Sequence, residues 1–293
     1  MKSKTYLIIT RSGLHCGIGQ GLSDIDLPTA KESVTGYPYI PGSSLKGVLR
    51  DHFNDNSDAF KAAFGPDPNN AGDYASALSF SDARLVCLPV RSWFGTFAYM
   101  ASATSLHPLR WLLKDAGTAN LPGIPGFAAG AYRVALSTGS KLLPQQQGAN
   151  QYVLLEDLDL QVDGQHQALA DQWAGLLAPM LYPGDGDAQN LFKERFAIVD
   201  DNVMAFLCET GLPVAAHNRI DESGIVADGA LWYEEFVPPE AVFFGAIYAG
   251  DGKGIYSTHQ ADALLNLVCL QPVHCQVGGS ATTGRGLITM NFS

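Results

Sequence analysis

The chain has 293 residues, 46% hydrophobic and 16% charged, which suits one elaborated globular domain or two, with enough length to bury a substantial core. Its net charge of -11 counts against nucleic-acid binding until the charges are located. Residues 1–50 hold six bases against three acids, whereas 151–240 hold seventeen acids and three bases, so the acidity belongs to one region and leaves a basic or neutral face elsewhere. The five cysteines are scattered and form no CxxC pair, which argues against a disulfide framework or structural zinc and suits a reducing compartment. MKSKTYLIIT reads as a charged tip and a strand rather than an export signal. No stretch reaches about 18 uninterrupted apolar residues, so a cytoplasmic location with no membrane contact is expected.

In chain order, Tyr6–Thr10 is predicted as a buried strand. It runs into a loop, SGLHCGIGQGLSDID, carrying His15, Asp24 and Asp26 among Gly17, Gly19 and Gly21. Glycines there permit positive φ or close approach of a partner, and the acids and His15 are groups able to bind metal or move protons. Pro38 and Pro41 keep the next piece extended, and GSSLKGVLR follows as a helix that Ser43 or Ser44 can cap. Lys46 and Arg50, four apart, share a face opposite Leu45, Val48 and Leu49. A solvated face is the usual fate of such a pair, but Gly47 between them permits close approach of a backbone.

A short helix near Phe60 precedes a strand over Leu78–Val90, bent at Ser81-Asp82. Another strand is expected at Phe97–Ala101 and a helix at Leu106–Asp115. Gly117 to Gln151, rich in Gly, Ala, Pro and Gln, reads as an inserted, mobile region. Acidic strands, a helix at Ala168–Leu176 and a helix at Asn202–Cys208, capped by Asp200 or Asp201 and stopped by Gly211, come next. Pro213–Ile220 and Ala230–Phe236 flank ESG as a hairpin, with Arg219 near the turn. On its second strand Leu231, Tyr233 and Glu235 share one face, and Trp232, Glu234 and Phe236 the other. The chain closes with a strand (Ala241–Ala249), a helix (His259–Leu270), a strand (Val273–Val277), a Gly-rich loop and a strand (Leu287–Asn291).

Strand-helix-strand units at both ends predict an α+β, ferredoxin-like βαββαβ sheet, the architecture of RNA-recognition modules. GIGQG is not GxGxxG and opens no helix, so a dinucleotide fold is disfavoured. GGSATTGRG departs from a phosphate-binding NTPase loop, with Arg285 and Gly286 in place of Lys and Ser/Thr. With Thr282, Thr283 and Arg285 it is still suited to gripping a nucleic-acid backbone. There is no GxSxG, no HExxH and no base for Cys16, so nucleophilic hydrolase chemistry lacks support.

GSSLKGVLR after GYPYIP, with a Gly-rich loop near the C-terminus, resembles the RAMP superfamily of CRISPR RNA-binding proteins. More narrowly, IDLP at 25–28, FSDARLVCLPVRSWFGTFAYM at 80–100, RIDESGIVADGALWYEEFVPPE at 219–240 and GGSATTGRGL at 278–287 are similar to the repeated backbone subunits of type III-B (Cmr) effector complexes. The resemblance implies a single RAMP domain with a ferredoxin-like (RRM-like) palm from about 1–116 and 237–293. It also implies inserted finger elements in about 117–210 and a thumb β-hairpin in about 211–236. Copies would stack in a helical filament along a CRISPR RNA, with other Cmr subunits, and cleave complementary single-stranded target RNA at regular intervals. Asp26 matches the cutting carboxylate, which requires a divalent metal ion (Mg2+ or Mn2+). His15 matches a position near the cut, and Tyr233 and Glu234 lie in the motif that contributes from the thumb, with Glu234 and Glu235 both open as the acid concerned. Gly17, Gly19, Lys46, Arg50, Arg219, Thr282, Thr283 and Arg285 match RNA-binding positions. Two departures stand out: basic residues after Asp26 are thinned to TAKESVTG, leaving Lys31, and the 117–150 insert is rich in Gly, Ala and Gln. The acidic 151–240 region is expected to face away from the guide, since like charges repel. A non-cutting structural backbone subunit is the alternative, and Asp26 discriminates, since such a subunit needs no acid there. A small-molecule enzyme on the same core lacks a nucleophile and a cofactor motif.

Overall fold

The structure, a computed structural model, describes residues 1–19, 25–66, 72–128, 130–144, 151–220 and 224–293, with backbone alone at 226–229. The palm begins with β1 (Lys2–Thr10), β2 (Tyr39–Ile40), α1 (Gly42–His52), α2 (Asp58–Phe64), β3 (Leu78–Phe80) and β4 (Ala83–Arg91). The middle of the chain supplies β5 (Phe97–Ser102), α3 (Ala103–Asp115), β6 (Arg133–Leu136), β7 (Tyr152–Leu155), β8 (Leu158–Val162), α4 (Gln167–Leu181), α5 (Gly186–Arg195), β9 (Phe196–Val199) and α6 (Asp201–Thr210). A hairpin, β10 (Val214–Ile220) and β11 (Val226–Glu235), leads back to β12 (Val242–Ala249), α7 (Ala261–Cys269), β13 (Val273–Gln276) and β14 (Leu287–Phe292).

The order β14-β1-β12-β4, antiparallel at every junction, is the ferredoxin-like order expected of two βαβ halves. β1 is central and buried on both faces. Tyr6 and Ile8 enter one core with Leu45 and Leu49 of α1 and Leu264, Leu265 and Val268 of α7. Leu7 and Ile9 enter a second core with Leu106 and Leu109 of α3 and Trp173 and Leu177 of α4. A strand covered on both sides has no use for alternation, which is why its sequence is a continuous apolar run. The bend predicted at Ser81-Asp82 separates β3 from β4, and both pair with β12.

The sheet continues past β4 through β5-β9-β6-β8-β7, so the middle of the chain extends the palm sheet. Here two expectations need correction, and one helix-strand unit is new. The Gly/Ala-rich segment contributes β6, whose Val134, Ala135 and Leu136 are buried between β9 and β8. Helix α5, capped by Asp185 through the Ala188 N–H, and strand β9 were not anticipated, because FAIV is too short an apolar run to separate from the helix before it. The start of α1 takes no cap from Ser43 or Ser44: the Gly42 N–H donates to Asp82 Oδ1 at 2.8 Å, an acceptor forty residues away. Gly42 is required there, since a Cβ would stand 2.5 Å from the Phe80 carbonyl oxygen.

Among the described residues no helix is long and apolar enough to cross a membrane.

Candidate RNA-cleaving site

The β10–β11 hairpin stands apart from the large sheet as a two-stranded ribbon, and the loop after β1 is laid along its second strand. The Leu27 N–H donates to the Tyr233 carbonyl at 3.0 Å and the Glu235 N–H to the Leu27 carbonyl at 3.0 Å, a short parallel pairing. This brings Asp26 to β11, where the Tyr233 N–H donates to Asp26 Oδ2 at 2.8 Å. Asp26 is exposed, and so is much of the Tyr233 ring. The site therefore presents one carboxylate, held by the hairpin backbone and open to solvent. Asp24 and Gly21 lie outside the described residues.

The strand faces predicted for β11 hold, and the two acids divide accordingly. Glu234 is buried and gathers three segments. Its Oε2 lies 2.9 Å from His217 Nε2 of β10, its Oε1 3.7 Å from His15 Nδ1, and Ser280 Oγ donates to Oε1 at 3.2 Å. The His217 contact is at ion-pair distance but out of line for a hydrogen bond, so that buried nitrogen has no well-directed partner. The His217 ring stacks on Trp232 directly opposite, with 5.5 Å between centroids and 14° between planes. Glu235, on the other face, is equally buried and accepts from the Thr29 N–H at 3.1 Å and from Lys31 Nζ at 2.7 Å.

His15 is buried rather than open to solvent. Its Nδ1 lies 2.7 Å from the Glu235 carbonyl oxygen, which can only accept, so Nδ1 carries a proton and donates it there. Two glycines make room for it. A Cβ on Gly17 would stand 2.6 Å from His15 Nε2, and one on Gly278, already at φ 87°, would collide with the His15 carbonyl. Gly19 also has positive φ, with open space around it.

The C-terminal loop closes over the same place. The Gly279 N–H donates to the His15 carbonyl at 2.8 Å and the Gly286 N–H to that of Gly13 at 2.8 Å. The Arg285 guanidinium lies 4.1 Å above the Phe236 ring centroid. Thr282 and Thr283 are exposed on a short 3-10 turn between Ser280 and Gly284, both in the left-handed region. On α1, Lys46 and Arg50 are half-buried on the helix side away from Leu45 and Leu49, and Gly47 between them faces open space. Lys46 Nζ donates to Ser76 Oγ at 2.6 Å. Burial, and secondarily the charge of Arg50, lowers the Lys46 pKa. Arg219 is exposed beside the bulge of the hairpin, away from its base.

The structure thus gathers Asp26, His15, Tyr233, Glu234 and the Gly17 and 278–286 loops at the hairpin base, with Arg219 further along the ribbon. Sequence reading missed His217, Ser280 and the anchoring role of Glu235 and Lys31. His217 opposite Trp232 follows from the hairpin register, but the irregularity between Asn218 and Ile220 hides that register in the sequence.

A divalent metal finds few protein donors here. Among the described residues no three His, Cys, Asp or Glu side chains are grouped to hold one. Of the described residues Asp26, with one oxygen engaged by Tyr233, suits an ion that keeps most of its water, the habit of Mg2+.

A ferredoxin-like palm with a projecting hairpin, and with a carboxylate, a Gly-rich loop and a basic helix around it, places the chain in the class of RRM-like α+β proteins. The chain belongs to the RAMP superfamily, whose sequence profile matches residues 7–289. It is 28% identical over 297 residues to the "CRISPR system Cmr endoribonuclease Cmr4" of Pyrococcus furiosus, covering 99% of this chain and 96% of that one. It is 24% identical to the "CRISPR system CMR subunit Cmr4" of Saccharolobus solfataricus, again over 99% and 96%. Two solved structures share the fold. Oligomeric Cmr4 from Pyrococcus furiosus has a TM-score of 0.73 at 23% identity, covering 100% and 98% of the two chains. A chain of the type III-B Cmr-beta complex bound to cognate target RNA has 0.72 at 20%, covering 100% and 97%.

Proposed function

We propose that this protein is the repeated, CRISPR-RNA-binding backbone subunit of a type III-B effector complex, and that it cleaves complementary single-stranded target RNA with Asp26 at the cut. The relatives over its full length bear Cmr endoribonuclease and Cmr subunit names. The observation that carries the cleavage reading is the Asp26 carboxylate, exposed and held by the Tyr233 N–H at the junction of palm and hairpin. Sequence reading is left to base pairing between guide and target, so the protein needs backbone contacts and shape rather than base-edge readers. Lys46, Arg50, Arg285, Thr282, Thr283 and the Gly17–Gly19 loop supply such contacts to the guide, and Arg219 supplies one from the hairpin. Other copies of the chain in a filament and other Cmr subunits are its partners, in the cytoplasm.

A nucleotide displaced from the guide–target duplex loses its stacked A-form geometry, which allows its 2′-hydroxyl to line up with the adjacent phosphate. Asp26 Oδ1, free while Oδ2 is held, accepts the 2′-hydroxyl proton as the 2′-oxygen bonds to phosphorus. The bond from phosphorus to the 5′-oxygen breaks, and that oxygen takes a proton from water. Tyr233 positions Asp26 through its backbone and lines the approach with its ring. Glu234 and His15 hold the hairpin, the Gly17 loop and Ser280 in register. A Mg2+ or Mn2+ ion, held by Asp26 and RNA oxygens, would supply charge neutralisation at the phosphate.

The test is assembly of the complex with Asp26→Ala and addition of complementary RNA. A regularly spaced cleavage ladder that disappears while target binding persists supports the reading. An unchanged ladder overturns it in favour of a non-cutting structural subunit.

A further inference from the structure

We propose that Glu235 and Lys31 are positioning residues that set where the Asp26 carboxylate stands, and so govern the rate of target cutting without contributing to target affinity. The inference rests on the reading of Asp26 above. Glu235 is only 3% exposed although ionisable, and both of its carboxylate oxygens point back to the loop that carries Asp26. Oε2 accepts the Thr29 N–H and Oε1 accepts Lys31 Nζ, whose side chain is 26% exposed.

A buried ion pair adds little stability compared with apolar side chains of similar size, so what it supplies is a defined arrangement. Here that arrangement is the register of the loop on β11. Between the Glu235 anchor and Asp26 the backbone runs through the Leu27–Tyr233 and Glu235–Leu27 bonds, and it ends at the Tyr233 N–H bond to Asp26. The far side of the loop is fixed too, by the Ala30 N–H to the Cys16 carbonyl at 2.7 Å and by the pairing of Lys31 with Pro38. The stretch from Asp26 to Lys31 thus carries main-chain bonds along its length, with the Glu235 side-chain clamp at its buried end and the Tyr233 N–H on the Asp26 carboxylate at its exposed end. Releasing the clamp allows the loop to slip along β11 and carries the carboxylate with it. Neither residue contacts the carboxylate of Asp26, so each acts through the loop.

The experiment uses the assembled complex with Glu235→Gln, with the double variant Lys31→Met/Glu235→Met, and with Lys31→Arg, beside wild type and Asp26→Ala. Misplacing a catalytic group by about an ångström costs on the order of 100-fold, so Glu235→Gln and the double variant should slow single-turnover cleavage by roughly 10- to 100-fold with target affinity little changed. Lys31→Arg, which keeps a cation opposite Glu235, should cut close to the wild-type rate. The double variant replaces both partners and is the one expected to keep its fold. Cleavage at the wild-type rate in Glu235→Gln and the double variant overturns the proposal, and so does a loss of target binding that matches the loss of cutting. If instead Asp26→Ala cuts like wild type, the reading of Asp26 fails, and the clamp is decided by amide hydrogen exchange on the full chain. Faster exchange at Thr29 and Leu27 in the double variant supports the clamp, and unchanged exchange overturns it.

Discussion

The backbone N–H of Tyr233 donates to Oδ2 of Asp26 at 2.8 Å, joining a loop that leaves the first strand to a hairpin 207 positions further along the chain. The bond occupies one carboxylate oxygen and leaves the other as the open acceptor of the site. Asp26→Asn keeps an oxygen for Tyr233 but loses the basic one. It should therefore retain the fold and target binding while losing about 10²- to 10⁴-fold in cleavage, the usual worth of a general base. Time courses of target cleavage beside a binding assay check this.

The space around His15 is made by glycines. Gly278→Ala forces a side chain into the left-handed region and against the His15 carbonyl. It should destabilise by about 1–3 kcal/mol, the range for an overpacked site, and lower the melting temperature by several degrees. Gly47→Ala, which meets open space, should leave melting unchanged or raise it slightly. Thermal unfolding of the two variants side by side tests the contrast.

Lys46 and Arg50 project from α1 near one another, and burial together with the Arg50 charge disfavours the charged form of Lys46. An RNA phosphate between them would reverse that cost. Lys46→Ala and Arg50→Ala should each weaken guide binding, and each should reduce the slope of log affinity against log salt by about 0.7, the share of one single-strand phosphate contact. Titrations at several salt concentrations measure the slope. A slope equal to wild type in both variants would remove α1 from the interface.

Burial pushes the thiols of Cys16, Cys208 and Cys269 up to about 12, and that of Cys275 up to about 11. A raised acid holds its proton in the folded chain where the unfolded chain, with an ordinary value of 9.0, has released it. Between about pH 9 and 12 the folded state therefore binds more protons and stability falls as pH rises. The contribution is fully present below about pH 9. Urea unfolding at pH 8, 9.5 and 10.5 should show midpoints that decline only above about 9. Iodoacetamide should label the native thiols slowly at neutral pH, because little thiolate is present.

Much of the fold follows from local pattern. The apolar run of β1, the amphipathic α1 and α7, the bend at Ser81-Asp82 and the pairing of β10 with β11, whose turn at 221–223 lies outside the described residues, each depend on neighbours close in sequence. Their periods and turn residues can therefore be read directly. The segment 117–150 could not be read so, because Val134–Leu136 looks like loop text until β9 and β8 stand on either side of it. The same limit hid the cap of α1, since Asp82 is its neighbour only after the sheet has formed.

For the site, the sequence alone determined the candidates: one loop with His15 and Asp26, one basic helix face, one Gly-rich loop, and a strand with Glu234 and Glu235 on opposite faces. What only the tertiary structure decided was their assignment. Glu234 faces His15, His217 and Ser280, Glu235 clamps Thr29 and Lys31, and Asp26 meets the Tyr233 N–H. The physical reason is that these contacts depend on how a loop docks on a strand some two hundred residues away. That register is set by long-range hydrogen bonds and burial, and no local period encodes it.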